Sequence, residues 1–526
     1  MNMVNTVNTT LASTTISNPF GWEDFFSILP AVILFVTGSL VLVLDLLRRE
    51  EVGKKRPLYL YFISLLGTLL SGACLCARLG SDTGEAQDYF LGAVVVDNFS
   101  TAMSILIVLG TAFSLLGAID ALGRRGIEHG EFHSLMLFAA SAMILFTRSS
   151  SLIMIFLSLE TLSMAVYVLT AYTRDEKRSV EGALKYFVLG GLSTAFLLLG
   201  LVFIYGATGK TNLTEIAAVI KSPEGLVDIP LLLMGLGLTI VGLGFKIGAF
   251  PFHSWLPDAY EGATTIVTGF MAVTVKVASF AVLLRLALLF AGVQEPTTEA
   301  PVVRDAMVAI LTTLAALTMI FGNLVALAQS SFKRMLAYSA IAHTGYLLVG
   351  VVATVSEPTA QGGGAAVIFY LFPYALMSLG AFTCLSCLGH GEGDQAQDLE
   401  SIASYRGLAL KQPLLAFGLL ILMVSFAGIP PTAGFWGKLY IFRQAIESGH
   451  WGLALIGVLT SLVSFYYYLG IVVAMYMHPE EEGGLRPAPE ARTWSKLSIA
   501  ITVGGVILVG LFPDVFFELS AKCAIK

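Results

Sequence analysis

The sequence predicts an all-α polytopic membrane protein, from its composition, its recurring bilayer-length apolar segments and two proline-interrupted segments. Of its 526 residues, 56% are hydrophobic and 13% are charged, whereas soluble domains carry about 25% charged residues. Apolar runs of about 20 residues, long enough to cross a hydrocarbon core, recur along nearly the whole chain. They leave no length for a sizeable soluble domain.

Hydropathy predicts about fourteen transmembrane spans. Two of them are too long for a single crossing and contain proline, at Pro251 in the first and at Pro430 and Pro431 in the second. Because proline lacks the backbone N–H that a helix interior needs, we expect a helix break at each site. The spans cover residues 25–47, 57–78, 97–119, 131–147, 150–171, 181–206, 229–262, 264–290, 304–329, 333–354, 364–389, 412–446, 452–477 and 496–520.

The loops predict the orientation of the chain. Lysines and arginines concentrate in alternate loops, and this side is expected to be cytoplasmic, which leaves both termini periplasmic. The polar start of the chain has no basic stretch before a short apolar core, so we expect the first span to be a retained helix. The basic residues of these alternate loops include Arg48, Arg49, Lys54, Lys55, Arg56, Arg124, Arg125, Arg174, Lys177, Arg178, Lys333, Arg334, Arg406, Lys411, Arg486, Arg492 and Lys496.

The two proline-broken spans are the seventh and the twelfth, which suggests an internal repeat of five helices. Because five is odd, the second unit would be inverted relative to the first, as in many ion-coupled transporters. We therefore predict a three-helix segment over 1–130, a first five-helix unit over 131–290, an inverted second unit over 301–480, and a linker with a last helix over 481–526.

Charged residues inside the predicted spans are the candidate functional groups, because a charge at the centre of a membrane helix costs roughly 2.5–3.5 kcal/mol on insertion scales. Glu160 is the acid that lies deepest in an uninterrupted apolar run. Lys246 and Lys438 each lie beside a predicted break, and Lys276 lies deep in the eighth span. Arg285 and Arg443 lie near helix ends and are expected to extend to the interface.

Glu160 has two interpretations, a structural ion pair that locks two helices or a partner that tunes the proton affinity of a lysine. A nearby carboxylate favours the charged form of lysine and burial favours the neutral form, so a change in this pairing would make a lysine take up or release a proton. Lysine suits the role because, unlike arginine, it can lose its proton on burial.

Three weaker candidates form a secondary proton path. Lys185 lies one turn into the sixth span and is either part of that path or an interfacial anchor. His253 and His343 lie in apolar surroundings, where a neutral imidazole can relay protons or simply form packing hydrogen bonds.

Other chemistry has no visible place in the chain. The five cysteines lack the four-ligand spacing of an iron–sulfur cluster. The sequence contains no phosphate loop, dinucleotide fingerprint or metal-ligand cluster, so a redox or metal centre is not expected.

Three further segments read FHSWLPDAYEGA at 252–263, AYSAIAHTGYL at 337–347 and GIPPTAGF at 428–435. They resemble the antiporter-like subunits of respiratory complex I, the proton-pumping NADH:quinone oxidoreductase. The Asp-x-Tyr-Glu-Gly run within the first favours the N type among these subunits. One departure is Thr264-Thr265-Ile266, where the family usually has Pro-Thr-Pro.

The resemblance implies roles for particular residues. Glu160 matches the family's helix-five glutamate, Lys246 its helix-seven lysine, Lys276 its helix-eight lysine and Lys438 its helix-twelve lysine, while Lys185 resembles a lysine of helix six. It further implies no cofactor in this subunit, with flavin, iron–sulfur clusters and quinone held by partner subunits.

The expected function is therefore that of a membrane-arm subunit, which conducts protons from cytoplasm to periplasm while partner subunits reduce quinone. Its expected partners are the M/L-type antiporter-like and K/J/A-type small subunits, and its expected location is the bacterial inner membrane. The alternatives are an Mrp-like cation/proton antiporter subunit and a structural subunit that has lost transport. Retention of all four signature charges argues against the last.

Overall fold

The computed structural model describes residues 21–47, 58–81, 86–221, 228–291, 300–357, 363–390, 397–398, 401–479 and 493–525. These residues form twenty α-helices and two short antiparallel hairpins, β1–β2 and β3–β4. The helices are α1 (Trp22–Leu47), α2 (Leu58–Ser81), α3 (Asn98–Arg125), α4 (Gly130–Thr147), α5 (Leu152–Thr170), α6 (Lys177–Thr208), α7 (Leu213–Lys221), α8 (Ile229–Ile247), α9 (Trp255–Gly262), α10 (Thr265–Phe270), α11 (Lys276–Ala291), α12 (Ala300–Leu327), α13 (Phe332–Ser356), α14 (Gly363–Cys387), α15 (Leu408–Lys411), α16 (Pro413–Ala427), α17 (Ala433–Glu447), α18 (Trp451–Met477), α19 (Thr493–Leu511) and α20 (Pro513–Lys522). The strands are β1 (Gln87–Tyr89), β2 (Val94–Val96), β3 (Gly389–His390) and β4 (Gln397–Asp398).

The all-α membrane fold is confirmed. Within the described residues, thirteen helical stretches are long and apolar enough to cross a membrane, and α16 is a shorter apolar helix. Each of the fourteen predicted spans coincides with one of these helices or with a broken pair. Helices α13 and α14 are almost entirely buried, whereas α6 exposes Leu184, Val188 and Leu192 along one face. The bundle is therefore centred on α13 and α14, with an apolar outer surface suited to lipid.

Both predicted helix breaks are present. Helix α8 ends at Ile247 and is capped by Gly248 at φ 73°, and α9 resumes the span at Trp255. Helix α16 ends at Ala427, is capped by Gly428 at φ 85°, and α17 follows. Glycine fits these caps because it adopts the left-handed conformation without a Cβ clash. Pro251 and Pro431 follow the caps, each after a cis peptide bond, and the second of these bonds joins Pro430 to Pro431.

Two features of single spans were not predicted. The span 496–520 is not one helix, because α19 ends at Leu511 and Pro513 begins α20. Proline is favoured at a first helical position and cannot donate a hydrogen bond within a continuing helix, which explains the division. A five-residue π-helical turn, Met271–Val275, separates α10 from α11.

The prediction for Arg285 was wrong. Its guanidinium lies inside the bundle and donates to both carboxylate oxygens of Asp97, each at 3.1 Å. Asp97 also caps α3, since its side chain accepts from the backbone N–H of Ser100. A carboxylate at a helix N-terminus offered a partner that hydropathy alone does not reveal. Arg443 is exposed and pairs with Glu447 at 2.7 Å, as an interfacial residue can.

The predicted orientation, inverted repeat and segment boundaries remain predictions. Several loop residues on which the orientation depends lie outside the described residues. They are Arg48, Arg49, Lys54, Lys55, Arg56, Arg486 and Arg492.

Gly322 tests the close packing of α12 on α13. A methyl group added there would lie 2.6 Å from the backbone nitrogen of Ala342, so Gly322→Ala should force the helices apart and cost about 1–3 kcal/mol. Thermal unfolding of the detergent-solubilised protein measures the loss. Gly191→Ala is the matched control, because a methyl group there meets nothing within 4 Å. Equal unfolding temperatures for the two variants would contradict the packing argument.

Candidate functional site

The first cluster of the site surrounds Lys246, at the end of α8. The side chain is 3% exposed. Its ammonium donates to Ser163 Oγ at 2.7 Å and to Tyr167 Oη at 3.2 Å, both on α5. It also lies 5.1 Å from the ring centroid of Tyr167 and 5.5 Å from that of Tyr186, within the range of cation–π attraction. The cation is held by hydroxyls and ring faces.

Glu160 belongs to the same cluster but does not form a direct ion pair. It precedes Ser163 by three residues and Tyr167 by seven, so all three lie on one face of α5. No described carboxylate, Glu160 included, lies within the 4.0 Å of an ion pair with Lys246. One carboxylate oxygen of Glu160 is buried without a hydrogen-bond partner among the described residues. The charge of Glu160 can therefore reach Lys246 only through space and not by direct contact.

Lys276 begins α11, directly after the π-helical turn, and is 3% exposed. It donates to the backbone carbonyl of Ala340 on α13 at 2.6 Å and to Tyr374 Oη on α14 at 3.1 Å. The hydroxyl of Thr344 faces the same Ala340 carbonyl at 3.1 Å and the carbonyl of Ile247, next to Lys246, at 2.7 Å. Lys276 thus contacts the two most buried helices, and Thr344 connects the carbonyl that it binds to the end of the first broken helix.

Lys438 lies on α17, just after the second break, and is 5% exposed. Its ammonium donates to the carbonyls of Phe426 and Ala427 at 3.0 Å each and to Ser461 Oγ at 2.8 Å. Those two carbonyls belong to the last turn of α16, where helical partners are missing. Three acceptors match the three N–H groups of a charged lysine, so the ammonium is fully hydrogen-bonded.

His343 lies between Lys276 and Lys438. Its Nδ1 is 2.6 Å from Tyr370 Oη and its Nε2 is 3.2 Å from Tyr468 Oη. Its ring packs 5.2 Å from that of Tyr374, which carries the hydroxyl bound to Lys276. The structure therefore places His343 in a second cluster, which consists of Lys276, His343 and the tyrosines Tyr370, Tyr374 and Tyr468.

His253 lies apart from both clusters. Its ring packs against Phe250 and Phe321, at centroid distances of 5.4 and 4.5 Å. Its Nδ1 has no hydrogen-bond partner among the described residues. The structure gives it packing contacts rather than a link to a lysine.

Lys185 also lies apart from the buried row, on the exposed side of α6. It pairs with Glu181 at 2.7 Å and with Asp258 on α9 at 2.8 Å. Asp258 in turn accepts from Arg334 on α13 at 2.9 Å, and Arg334 reaches Glu261 at 2.8 Å. These charges form an ionic network that joins α6, α9 and α13.

Sequence reasoning identified the lysines and missed the hydroxyls that hold them. Ser163, Tyr167, Tyr374 and Ser461 lie in apolar runs where a single hydroxyl hardly changes the hydropathy. For α5 a signal existed, because spacings of three and seven residues from Glu160 place hydroxyls on its helix face. For Tyr374 and Ser461 we find no comparable local signal. Within the described residues, no group of three or more His, Cys, Asp or Glu side chains is placed to hold a metal ion.

The geometry defines a class of protein, a polytopic antiporter-like membrane subunit with buried lysines beside broken helices. The family model "NADH:quinone oxidoreductase/Mrp antiporter, TM" matches residues 149–464. Among curated relatives, NADH-quinone oxidoreductase subunit N 1 of Herpetosiphon aurantiacus is 39% identical, over 93% of this chain and 94% of the relative. Subunit N of Myxococcus xanthus is 37% identical, over 93% and 95%.

Solved structures agree with these relatives. A chain of respiratory complex I from Thermus thermophilus has a TM-score of 0.75 and 34% identity, with 94% of this chain and 99% of that chain covered. A chain of the Mrp complex from Dietzia has a TM-score of 0.78 at 20% identity, covering 96% and 97%, which is a likeness of fold. The chain belongs to the NADH:quinone oxidoreductase/Mrp antiporter family, among the antiporter-like N subunits of complex I.

Asp258 tests the ionic network. Asp258→Asn removes the charge that Lys185 and Arg334 share, and we expect the loss to lower the free energy of unfolding by roughly 1–2 kcal/mol. The control Glu215→Gln removes a carboxylate from an exposed pair with Lys210, where little stability is at stake. Chemical or thermal unfolding in detergent compares the two. A loss no larger than that of the control would contradict a structural role for the network.

Proposed function

We propose that the chain is a membrane-arm subunit of a proton-translocating NADH:quinone oxidoreductase and conducts protons through Glu160, Lys246, Lys276 and Lys438. The observation that carries the proposal is the set of three lysines, each at most 5% exposed and each held by oxygen atoms inside an apolar bundle. The names of its full-length relatives support the same function.

Buried lysines suit proton transfer because small changes around them decide whether they are charged. Desolvation favours the neutral amine, whereas a carboxylate and hydrogen-bond acceptors favour the ammonium. At Lys246 the acceptors are hydroxyls and the carboxylate is Glu160, whose charge acts at a distance. Movement of α5 relative to α8 would change that interaction, and the lysine would take up or release a proton.

The second half of the path is more continuous in polar groups. Lys276 contacts Tyr374, the Tyr374 ring packs on His343, and His343 contacts Tyr468. Hydroxyl and imidazole groups both accept and donate protons. His343 is accordingly proposed as a secondary member of the path between Lys276 and Lys438.

The surroundings of Lys185 and His253 support different roles. Lys185 is exposed and neutralised by two carboxylates, so it is proposed as an entrance-side charge. His253 contacts aromatic rings and neither buried cluster, and nothing in its surroundings supports proton transfer.

The energy source is proposed to lie outside this chain. The partners proposed are M/L-type antiporter-like subunits and K/J/A-type small subunits, with flavin, iron–sulfur clusters and quinone held by partner subunits and no redox site here. The proposed location is the bacterial inner membrane, with both termini periplasmic.

The alternative is an Mrp-like cation/proton antiporter subunit, since the family model covers both kinds of protein. Relatives named subunit N match over almost the whole chain at 37–39% identity, and the Mrp likeness is one of fold alone. Copurification with flavin- and iron–sulfur-containing subunits would support the first function. Cation/proton exchange in their absence would support the second.

Replacement of the buried lysines tests the path. Lys246→Ala and Lys276→Ala should each lower NADH-driven proton pumping into membrane vesicles at least about tenfold, because a positioned proton-transfer group typically contributes more than that. Fluorescence quenching of a pH-sensitive dye measures pumping. Lys210→Ala, which alters an exposed pair, should pump normally. Normal pumping by an assembled Lys276→Ala complex would overturn the assignment.

Glu160 is tested by Glu160→Gln, which keeps the shape and removes the charge. The loss of its electrostatic action on Lys246 should reduce pumping about fivefold, which corresponds to roughly 1 kcal/mol. Glu447→Gln, in an exposed pair with Arg443, is the control. If Glu160→Gln lowered thermal stability while pumping stayed normal, a purely structural role for this carboxylate would replace the functional one.

A further inference from the structure

Asn323 is a fully buried amide in the last turns of α12, outside every motif that identified the chain. Its Nδ2 donates to the carbonyl of Met319 at 2.8 Å and to Tyr346 Oη at 3.0 Å. Its Oδ1 accepts from Tyr467 Oη at 3.0 Å. The amide therefore connects α12 to α13 and α18.

The Met319 carbonyl fixes the direction of these bonds. A carbonyl only accepts, so the amide must turn its NH2 group toward Met319 and toward Tyr346. The Tyr346 oxygen consequently accepts a hydrogen bond, and its own O–H must point elsewhere. The ring of Tyr346 in turn faces Lys438, whose ammonium lies 5.3 Å from the ring centroid, within the range of cation–π attraction.

The other contacts of the Lys438 ammonium are hydrogen bonds. The Ser461 oxygen accepts one of them at 2.8 Å. The other two acceptors of Lys438 are backbone carbonyls at the end of α16. These carbonyls cannot turn away from Lys438 unless the end of that helix opens. Ser461 is thus the one acceptor of Lys438 whose orientation can change.

We propose that Asn323 is a positioning residue for Lys438, and that it acts by holding the Tyr346 side chain, whose ring faces the Lys438 ammonium. The inference rests on the proposed function, because it concerns proton movement at Lys438. It adds a residue that contacts no lysine directly and that is recognised by the direction of its hydrogen bonds.

The groups around Lys438 allow a clean test. The titratable side chains around it are Tyr346 and His343 on α13, Tyr370 on α14, and Tyr467 and Tyr468 on α18. Within the described residues no carboxylate forms an ion pair with Lys438. A carboxylate introduced at position 323 would therefore be a new charge near this lysine.

The experiment measures NADH-driven proton pumping and its pH profile in vesicles that contain the whole complex. Asn323→Leu and Tyr346→Phe should each reduce pumping about fivefold, the worth of one hydrogen bond. The double variant should be no worse than Tyr346→Phe alone, because both changes break the same connection. Tyr467→Phe, which removes the bond on the other side of the amide, should pump nearly normally.

Asn323→Asp adds a readout that a purely structural role would not change. Its carboxylate would accept from Tyr346, reverse the direction of that bond and favour a charged Lys438. The alkaline limit of pumping should then move to higher pH, and the shift should be smaller in the Tyr346→Phe background, where the carboxylate no longer holds the Tyr346 ring at Lys438. A shift of equal size there would mean that the charge acts without Tyr346 and would contradict the proposed role. If the complex with Asn323→Leu does not assemble, a double-mutant cycle of Asn323→Asp and Tyr346→Phe tests the role of Asn323 instead.

The outcomes separate the two proposals. Losses that multiply to about 25-fold in the double variant, or normal pumping by assembled Asn323→Leu while Lys438→Ala is inactive, would overturn the role of Asn323 alone. Normal pumping by Lys438→Ala would overturn the proposed function itself.

Discussion

Each of the three buried lysines must find oxygen acceptors inside an apolar bundle, and this requirement organises the structure around it. An unpaired charge in an apolar interior is prohibitively costly. Lys246 is accommodated by hydroxyls, Lys276 by a carbonyl and a hydroxyl, and Lys438 by two carbonyls and a hydroxyl. Neighbouring helices approach closely enough to supply those atoms, α5 at Lys246, α13 and α14 at Lys276, and α16 and α18 at Lys438.

The two helix breaks meet the same requirement in different ways. At the first break the carbonyl of Phe245 accepts from the backbone N–H of Gly248 at 3.1 Å and from the Trp255 indole at 2.9 Å, and that of Ile247 accepts from Thr344. Lys246 binds hydroxyls on α5 instead. At the second break Lys438 itself binds the freed carbonyls. Two breaks of similar sequence pattern therefore place their lysines in different surroundings, one bound to the neighbouring helix α5 and one bound to the end of α16, the helix that precedes its own.

The sequence was sufficient for the features that depend on one helix at a time. Span positions follow from apolar length, and the breaks at Pro251 and Pro430–Pro431 follow from the chemistry of proline and glycine. Features that depend on two helices could not be predicted. The Asp97 partner of Arg285 is 188 residues away along the chain. The hydroxyl of Ser461, which binds Lys438, differs little in hydropathy from its neighbours. The absence of a direct Glu160–Lys246 ion pair likewise depends on the distance between two helices. Residue spacing along one helix does not predict that distance.

The carbonyl of Ala340 has two claimants, the ammonium of Lys276 and the hydroxyl of Thr344. A hydroxyl has a single hydrogen, so Thr344 divides it between Ala340 and Ile247, the last residue of the first broken helix. A change in the hydrogen bond from Lys276 to Ala340 would therefore change how Thr344 shares its hydrogen between the two carbonyls. The shared acceptor links Lys276, through Thr344, to Ile247 at the end of the first broken helix.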